Sequence, residues 1–248
     1  MKYYWILIST LLLSCNLNKG SDSTAIIDNS DSNRIEGNIS DDNADASNSS
    51  TEILETFTDS LHIGEKGSSK IELIKHRVFE DNFIIIKFYT KGPDSWYLQN
   101  TYSYETNALG EFQPEFSDYN NDNFNDITFV SGTAARGANE VRRLLIFDDY
   151  NKELISIVNS QDFPNMQYNS QLNCIDAFLI HGMSTTVFAK IKGDSLKTFA
   201  SVQNSEDYHT VNLVDDNGNE KELYKAKSKG VYMRHKNYKP LMEYSEVK

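Results

Sequence analysis

One short stretch of the chain, residues 118–126, has residue types and spacing suited to binding a metal. Oxygen-bearing side chains stand at its first, third, fifth and ninth positions, namely Asp118, Asn120, Asp122 and Asp126. Phe124, at the seventh position, can add its backbone carbonyl. Oxygen ligands alternating along one short loop suit a hard divalent cation such as Ca²⁺. The spacing therefore predicts a calcium site in this stretch, which is called the acidic loop below.

Two positions distinguish the acidic loop from a calcium loop between two helices. Asn123 stands at position six, where such a loop usually has glycine, and asparagine is a non-glycine residue that tolerates the left-handed conformation. Position twelve is Phe129, within the apolar run 127–130, instead of a bidentate Glu. We therefore predict a structural ion in a loop that leads into a β-strand. The alternative is an Asx-rich turn that caps itself through side-chain to backbone bonds.

The first residues have the pattern of a targeting segment. A basic Met1-Lys2 end precedes an apolar run at 3–13, which is shorter than the ~20 residues of a membrane-spanning helix. The Leu-Leu-Ser-Cys sequence ending at Cys15 resembles the bacterial lipobox, which implies cleavage before Cys15 and its acylation. We therefore expect a lipoprotein signal peptide at 1–14 and a protein anchored in the bacterial cell envelope, at the periplasmic face or the cell surface. The alternative is an ordinary secretory signal with an incidental cysteine.

The segment that follows Cys15 differs from the rest of the chain in composition. Asn, Ser and Asp make up 21 of the 35 residues at 16–50, and there are no aromatic residues. Such a composition cannot bury a core, so residues 15–50 are predicted to form a lipidated, disordered tether. A random coil of this length reaches roughly 30 to 35 Å.

The charge of the chain limits its partners. The formal net charge is −12, and removal of Lys2 with the signal peptide leaves 23 basic against 36 acidic residues, or −13. A field of this sign repels nucleic acid and anionic lipid headgroups. We therefore expect no nucleic-acid partner. The same charge suits a protein whose partner has a basic surface, or it serves only to keep the protein soluble.

No pattern in the chain indicates an active site. The five histidines are scattered, and the nucleophile-elbow, zinc-protease and phosphate-loop patterns are absent from the sequence. His181 and Ser184 are near each other, but neighbours in a tight turn rarely face one another. Cys174 lies in the apolar run 172–180, which predicts a buried, unreactive thiol, and acylation of Cys15 leaves it without a disulfide partner. We therefore predict that the protein is not an enzyme.

Short segments rich in Ile, Val, Phe, Tyr and Thr, separated by turn residues, make up most of the remaining chain. They predict strands at 53–63, 71–79, 83–90, 96–104, 141–147, 153–158, 172–180, 185–191, 196–202, 210–214, 220–225 and 231–234. Hairpin turns are predicted at 192–195 and 215–219, and a weak helical period occurs only at 134–145. We therefore predict a single all-β domain at 51–248, mainly of antiparallel sheets in a sandwich or a small propeller-like arrangement.

Two of these segments have patterns that predict how they are buried. The continuous apolar run Ile84-Ile85-Ile86 predicts a strand covered on both faces. Residues 96–104 alternate between aromatic and polar side chains, which predicts one aromatic face and one polar face.

Several segments occur in an order shared with a known family, at 118–126, 131–139, 144–148, 180–182 and 188–200. This region, roughly half of the mature chain, resembles a family of exported bacterial lipoproteins with an FG-GAP-like calcium loop. One branch of that family consists of periplasmic immunity proteins, likened to lysozyme inhibitors, that inhibit a peptidoglycan-hydrolysing toxin delivered by a type IV secretion system. The resemblance implies bound Ca²⁺ at Asp118, Asn120, Asp122 and Asp126, and it makes inhibition of a peptidoglycan hydrolase a candidate function.

We expect a partner surface beside the acidic loop. Several lysozyme inhibitors insert a Ser-Gly-x-x-Tyr loop into the enzyme cleft, whereas residues 131–135 read Ser-Gly-Thr-Ala-Ala. Arg136, on the same predicted turn, could instead project toward a hydrolase's catalytic carboxylates. Asn139 and the aromatic face that begins at Trp96 complete the predicted surface. The alternative function is a surface-exposed structural or ligand-capture lipoprotein without inhibitory activity.

Overall fold

The computed structural model describes residues 51–244, so the predicted signal peptide, Cys15 and the tether lie outside the described residues. The described part is built almost entirely of β-strands. They are β1 (Glu52–Asp59), β2 (Ser69–Val78), β3 (Asp81–Lys91), β4 (Trp96–Thr106), β5 (Glu115–Ser117), β6 (Asp126–Ala134), β7 (Asn139–Asp148), β8 (Glu153–Ser156), β9 (Gln167–Asn169), β10 (Cys174–His181), β11 (Met183–Lys192), β12 (Ser195–Asn204), β13 (Tyr208–Val214), β14 (Glu220–Lys227), β15 (His235–Tyr238) and β16 (Leu241–Glu243). Two 3₁₀ turns, Ala135–Gly137 and Ser160–Asp162, are the helical elements of residues 51–244.

The strands form four antiparallel sheets. The first contains β1 to β4, the second β5 to β8, the third runs in the order β14-β13-β12-β11-β10-β9, and β15 and β16 form a hairpin. The predicted all-β, mainly antiparallel class is confirmed. The turn at Gly193-Asp194 joins β11 to β12 with Lys192 opposite Ser195, so the predicted hairpin at 192–195 is confirmed as well. Across residues 51–244, the structure has no helix with the length and apolar character to span a membrane.

Consecutive sheets pack face to face and share cores. The first sheet packs on the second, where the rings of Phe88 and Phe147 have centroids 5.9 Å apart. Leu144 and Ile146 point to the opposite face of β7 and pack with Ile175 and Ala189 of the third sheet. The second sheet is therefore covered on both faces, and the arrangement is a stack of sheets and not a two-sheet sandwich.

The prediction that the Ile84-Ile85-Ile86 strand is covered on both faces is wrong. Ile84 and Ile86 are fully buried against the second sheet, but Ile85 is only half-buried. Among residues 51–244, the first sheet is covered on one face, so β3 alternates despite its three isoleucines. The strand covered on both faces is β6, which is buried from Asp126 to Gly132.

The alternating pattern predicted for residues 96–104 is confirmed in the second half of β4. Tyr102 and Tyr104 point toward the second sheet, where their hydroxyls bond Leu154 O (2.5 Å) and Ser156 Oγ (2.6 Å). Ser103, between them, is exposed. The aromatic face of this strand is therefore used inside the fold.

Two other predictions of secondary structure are wrong. The weak helical period at 134–145 corresponds to one 3₁₀ turn and then to β7. Ala135 and Arg136 have φ angles of 49° and 58°, and two consecutive left-handed residues cannot belong to a right-handed helix. Residues 231–234, predicted as a strand, form none: β15 begins at His235, and the Arg234 side chain in front of it bonds Asp176 of β10.

Cys174 has the buried position predicted for it. Its side chain packs in the core between the third sheet and the β15–β16 hairpin, together with Phe188 and Val202. Burial raises the pKa of the thiol to about 12, with a smaller contribution from the Asp176 carboxylate. The thiol is therefore protonated at neutral pH and is a poor nucleophile.

Two histidines, His209 of β13 and His235 of β15, are buried side by side. The rings of His209 and His235 have centroids 5.1 Å apart, and His235 is fully buried. His235 Nε2 bonds Asn204 Oδ1 (3.0 Å), while the Lys229 N–H donates to His209 Nε2 (3.0 Å). Both Nδ1 atoms lack a partner within residues 51–244. Burial first, and then the neighbouring His209, lower the pKa of His235 to about 4, and Lys229 lowers it further against the opposing effect of Glu243.

This pair predicts acid-sensitive folding. Because the unfolded chain binds protons at His235 below about pH 6.5 and the folded chain only near pH 4, stability falls as the pH drops through this window. His235→Gln should reduce the proton uptake on unfolding at pH 5 by about one proton. Chemical denaturation between pH 4 and 7 checks this, and a pH slope unchanged by His235→Gln would contradict it. Gln at the exposed His181 is the matched control, expected to leave the slope unchanged.

Candidate metal centre

The acidic loop connects β5 to β6. β5 ends at Ser117 and β6 begins at Asp126, so the loop leads into a strand as predicted. Its far side is bonded to the β1–β2 connection, where the Gly64 N–H donates to Asn125 O (2.8 Å) and Asn125 Nδ2 donates to His62 O (2.9 Å). The loop is therefore held from outside as well as through its own residues.

The carboxylate of Asp118 organises the start of the loop. Its Oδ1 accepts a bond from the Asp122 N–H (3.0 Å), and its Oδ2 accepts one from the Asn123 N–H (2.8 Å). These bonds curl the loop back over its first residue. An ionised carboxylate has about four lone-pair sites, so each oxygen of Asp118 keeps acceptor capacity for a cation.

Asn120 and Asp122 complete the turn. Asn120 Nδ2 donates to Asp122 Oδ2 (2.7 Å), and the Phe124 N–H donates to Asp122 Oδ1 (2.8 Å). Asn123 has φ 74°, so the left-handed conformation predicted for it is observed. The structure thus brings the first, third and fifth positions of the loop together.

Asp126, at the ninth position, is fully buried and accepts two backbone hydrogen bonds, one from the loop and one from β7. Its Oδ2 accepts the Tyr119 N–H (2.7 Å), and its Oδ1 accepts the Phe147 N–H of β7 (2.8 Å). Burial raises the pKa of the carboxyl to about 8, and the nearby Asp122 and Asp118 add to this, against the lowering effect of the two backbone bonds. Asp126 therefore connects the loop to the second sheet.

Phe124, whose carbonyl is the predicted ligand at position seven, is held by its side chain. Its ring meets that of Phe147 edge to face, with centroids 5.4 Å apart. Phe124 packs against the core between the first and second sheets. The middle of the loop is thereby fixed to Phe147, the residue whose N–H also donates to Asp126.

The donors of the acidic loop suit a hard cation in their chemistry. All are oxygens, and within residues 51–244 no Lys, Arg or His forms a salt bridge with Asp118, Asp122 or Asp126. Their geometry is that of a self-capped turn, since no three acidic, His or Cys side chains in the described part of the chain converge on one point. A bound ion would use lone pairs left free by the backbone bonds, and the buried ninth position would act through water, as it often does in such loops.

The predicted partner residues lie in different environments. Arg136 is exposed at the tip of the β6–β7 hairpin. Asn139 is buried: its Nδ2 donates to Ile180 O (3.0 Å) and its Oδ1 accepts the Ile180 N–H (2.9 Å). Because its amide is used in this bridge between β7 and β10, Asn139 does not offer it to a partner. Trp96 is half-buried, with the Lys70 ammonium 5.6 Å from its ring.

Trp96 and Arg136 do not share a surface beside the loop. Thr106, at the far end of β4 from Trp96, donates to Ser131 O of β6 (2.7 Å). Ten residues of strand separate Trp96 from Thr106, a distance of about 33 Å. Partner binding therefore stays a prediction for Arg136, at the exposed tip of the hairpin, and not for a surface shared with Trp96.

A groove that was not predicted lies on the third sheet. It has a volume of about 920 Å³ and is called the β11–β12 groove. Its lining includes Lys190, Lys192, Lys197, Phe199, Asn217 and Tyr238. The sequence signal was the alternation of Lys190 and Lys192 before the 192–195 turn, which places both on one face of a hairpin, but nothing in the sequence indicated which face stays open.

Comparison with known proteins does not assign the chain to a family. By sequence, the chain matches no family model and no curated protein. By structure, it is similar to a chain described as "Structure of a Xanthomonas Type IV Secretion System related protein", with 11% sequence identity and a TM-score of 0.42, over 69% of this chain and 100% of that one. Similarity at this level carries no inference about function.

Proposed function

We propose that this chain is a calcium-stabilised, lipid-anchored binding protein of the bacterial cell envelope that inhibits a peptidoglycan hydrolase. The observation that carries the calcium part is the acidic loop, in which three carboxylates within nine residues have no cationic side-chain partner in residues 51–244. Repulsion from Asp118 and Asp122 contributes to the raised pKa of Asp126, and a divalent cation would offset that repulsion and favour the ionised carboxylate. The anchor rests on the lipobox-like sequence at Cys15.

Support for an inhibitor comes from the tip of the β6–β7 hairpin. Ala135, Arg136 and Gly137 all have positive φ angles, 49°, 58° and 90°. A left-handed conformation costs a non-glycine residue about 1 to 2 kcal/mol, and such strain clusters at sites where a side chain must be presented. Arg136 is exposed there, and its guanidinium is suited to bidentate bonds with carboxylates. The catalytic groups of a lysozyme-type peptidoglycan hydrolase are carboxyl groups.

Calcium is expected to raise the melting temperature of the protein. At a free concentration one hundred times the Kd, a ligand that binds only the folded state adds about 2.7 kcal/mol. Thermal unfolding of the mature chain in millimolar CaCl₂, in MgCl₂ and in EGTA checks this. Asp118→Asn should reduce the calcium shift, while Asp215→Asn, in the exposed turn at 215–219, is the matched control. Equal melting temperatures in calcium and EGTA would contradict calcium binding at the acidic loop.

Inhibition is tested with purified hydrolases and isolated peptidoglycan. The mature protein should slow the clearing of a peptidoglycan suspension by at least one lysozyme-type hydrolase, and Arg136→Ala should abolish most of that effect. Arg77→Ala, which removes a half-exposed arginine of the first sheet, is the control and should inhibit normally. Clearing at an unchanged rate across a panel of hydrolases would contradict the inhibitor function. It would not change the conclusion about calcium binding.

The alternative is a ligand-capture lipoprotein without inhibitory activity. The β11–β12 groove favours it, because concave sites with aromatic walls and a few polar groups are the usual form of small-molecule sites. Normal calcium stabilisation together with no inhibition would favour this function.

A further inference from the structure

The β11–β12 groove lies on the outer face of the third sheet. The β15–β16 hairpin covers part of this face, where Tyr238 and Leu241 pack on Phe188 and Val202. The part beside the hairpin stays open and is bounded on its other side by the β13–β14 turn, which contributes Asn217. The groove therefore has an aromatic wall at the hairpin and a polar rim at the turn.

A β-bulge directs an aromatic ring into the groove. Phe188 pairs with Ala200 and Ala189 pairs with Thr198, so Phe199 is an extra residue in β12. A bulge changes which face the following residues point to and re-aims the bulged side chain. The Phe199 ring lies 6.4 Å from that of Phe188 and 6.0 Å from that of Tyr238, centroid to centroid. The bulge thus adds Phe199 to the aromatic wall.

Two lysines face each other across the strand pair on the same face. Lys190 of β11 is the direct partner of Lys197 of β12, and like charges placed directly opposite destabilise a sheet. Neither ammonium has an acidic side chain within salt-bridge distance among residues 51–244, whereas Lys192 is bonded to Asp216 (3.0 Å). The Lys190 ammonium lies 5.9 Å from the centre of the Phe199 ring. An anion between Lys190 and Lys197 would remove their repulsion.

The remaining groups of the groove can bind hydroxyls. Asp162 and Asn217 lie on its rim, and neither side chain is used in a bond to another side chain within residues 51–244. Carboxylate and amide oxygens accept hydrogen bonds from hydroxyls, and amides also donate them. Three aspartates also line the groove, of which Asp216 is paired with Lys192 and Asp215 is bonded within its own turn. The groove therefore combines the pair Lys190 and Lys197, an aromatic wall and the hydrogen-bonding groups of Asp162 and Asn217.

We propose that the β11–β12 groove binds a short acidic saccharide. A carboxylate of the sugar lies between Lys190 and Lys197, an apolar face of the sugar ring packs against Phe199 and Tyr238, and hydroxyls point to the rim. The overall charge of −12 disfavours long polyanions, which would extend over the acidic surface, and so favours a ligand of a few sugar units. This site is separate from the acidic loop and does not depend on calcium or on hydrolase inhibition.

The test is isothermal titration of the full mature chain with trigalacturonic acid, maltotriose and inorganic phosphate. Trigalacturonic acid should bind, more weakly at higher salt, and both other probes should bind at least about tenfold more weakly. Equal affinity for maltotriose or phosphate, or no binding of trigalacturonic acid, would overturn the proposal.

Substitutions connect the binding to these residues. Lys190→Gln and Lys197→Gln should each weaken trigalacturonic acid binding by about tenfold, the value of one charge-assisted hydrogen bond. Lys221→Gln, on the exposed strand β14, is the control and should bind normally. Because either groove variant also removes the repulsion between the two lysines, its melting temperature without ligand should not fall. Normal binding by the Lys190→Gln/Lys197→Gln double variant would contradict the proposal.

Discussion

Replacing Asp176 with alanine is expected to lower the free energy of unfolding by about 3 to 5 kcal/mol. Asp176 is fully buried in β10, and the Arg234 guanidinium donates to its Oδ1 (2.5 Å) and to its backbone oxygen (3.0 Å). Asn169 Nδ2 and the Tyr244 hydroxyl both donate to Oδ2. Removal of the carboxylate leaves an arginine that is four-fifths buried without its charged partner and removes the ion pair between the segment after 230 and the third sheet. Denaturant unfolding of the variant measures the loss.

Two further variants separate the ion pair from simple loss of packing. In Asp176→Leu/Arg234→Met both charges are replaced by apolar groups, which is often neutral or stabilising, so most of the lost stability should return. Asp149→Ala, in an exposed pair with Lys152, should have little effect because exposed ion pairs contribute little. A double variant as unstable as Asp176→Ala would show that the unpaired arginine is not the cause.

Replacing Asp126 with alanine is expected to be the next most damaging change. It leaves the buried N–H groups of Tyr119 and Phe147 without acceptors, at about 1 to 3 kcal/mol for each group. Relief of repulsion from Asp118 and Asp122 offsets part of this, so a net loss of about 2 to 4 kcal/mol is expected in EGTA. Unfolding in EGTA measures the loss.

The same variant tests the proposed ion. The calcium-dependent gain of the native chain should be reduced in Asp126→Ala, because the ninth position no longer holds a water or the ion. Asp126→Asn separates the two effects: it keeps one acceptor and most of the packing but loses the charge. If Asp126→Asn and the native chain gain equally from calcium, Asp126 is a backbone acceptor only.

The parts of the fold that sequence could predict depend on local patterns. The β-branched runs and the turns at 192–195 and 215–219 gave the strands from β10 to β14 because each hairpin is decided within about twenty residues. The short strands β5, β9, β15 and β16 were missed, since three or four residues are too few to show a clear alternation. The prediction that the strand at 84–86 is covered on both faces was wrong because a β-branched run indicates a preference for strand and not how many faces of the sheet are buried.

The same limit applies to the sites. The acidic loop was found because its residues are contiguous, and its bonds confirm the left-handed turn at Asn123. Asn139 bonds a residue 41 positions away, and Asp176 meets an arginine 58 positions away, so no spacing rule could assign either role. Trp96 was grouped with Arg136 because both side chains are chemically suited to contact a partner. Side-chain chemistry does not show that the length of β4 keeps Trp96 away from the β6–β7 hairpin. The bulge at Phe199 depends on strand register, which a single sequence does not state.

The meander order of the sheets has a consequence for how the chain folds. Each of the first two sheets pairs only strands that are neighbours in sequence, so its contacts are local and close quickly. Within residues 51–244, the first sheet nevertheless buries its apolar face mainly against the second, and the second buries its other face mainly against the third. In a chain that emerges from its N-terminus, β1 to β4 therefore expose their apolar face until β6 and β7 arrive. Asp126 accepts bonds from residues of both cores, Phe147 in the first and Tyr119 in the second, so the second sheet is the element on which both cores depend.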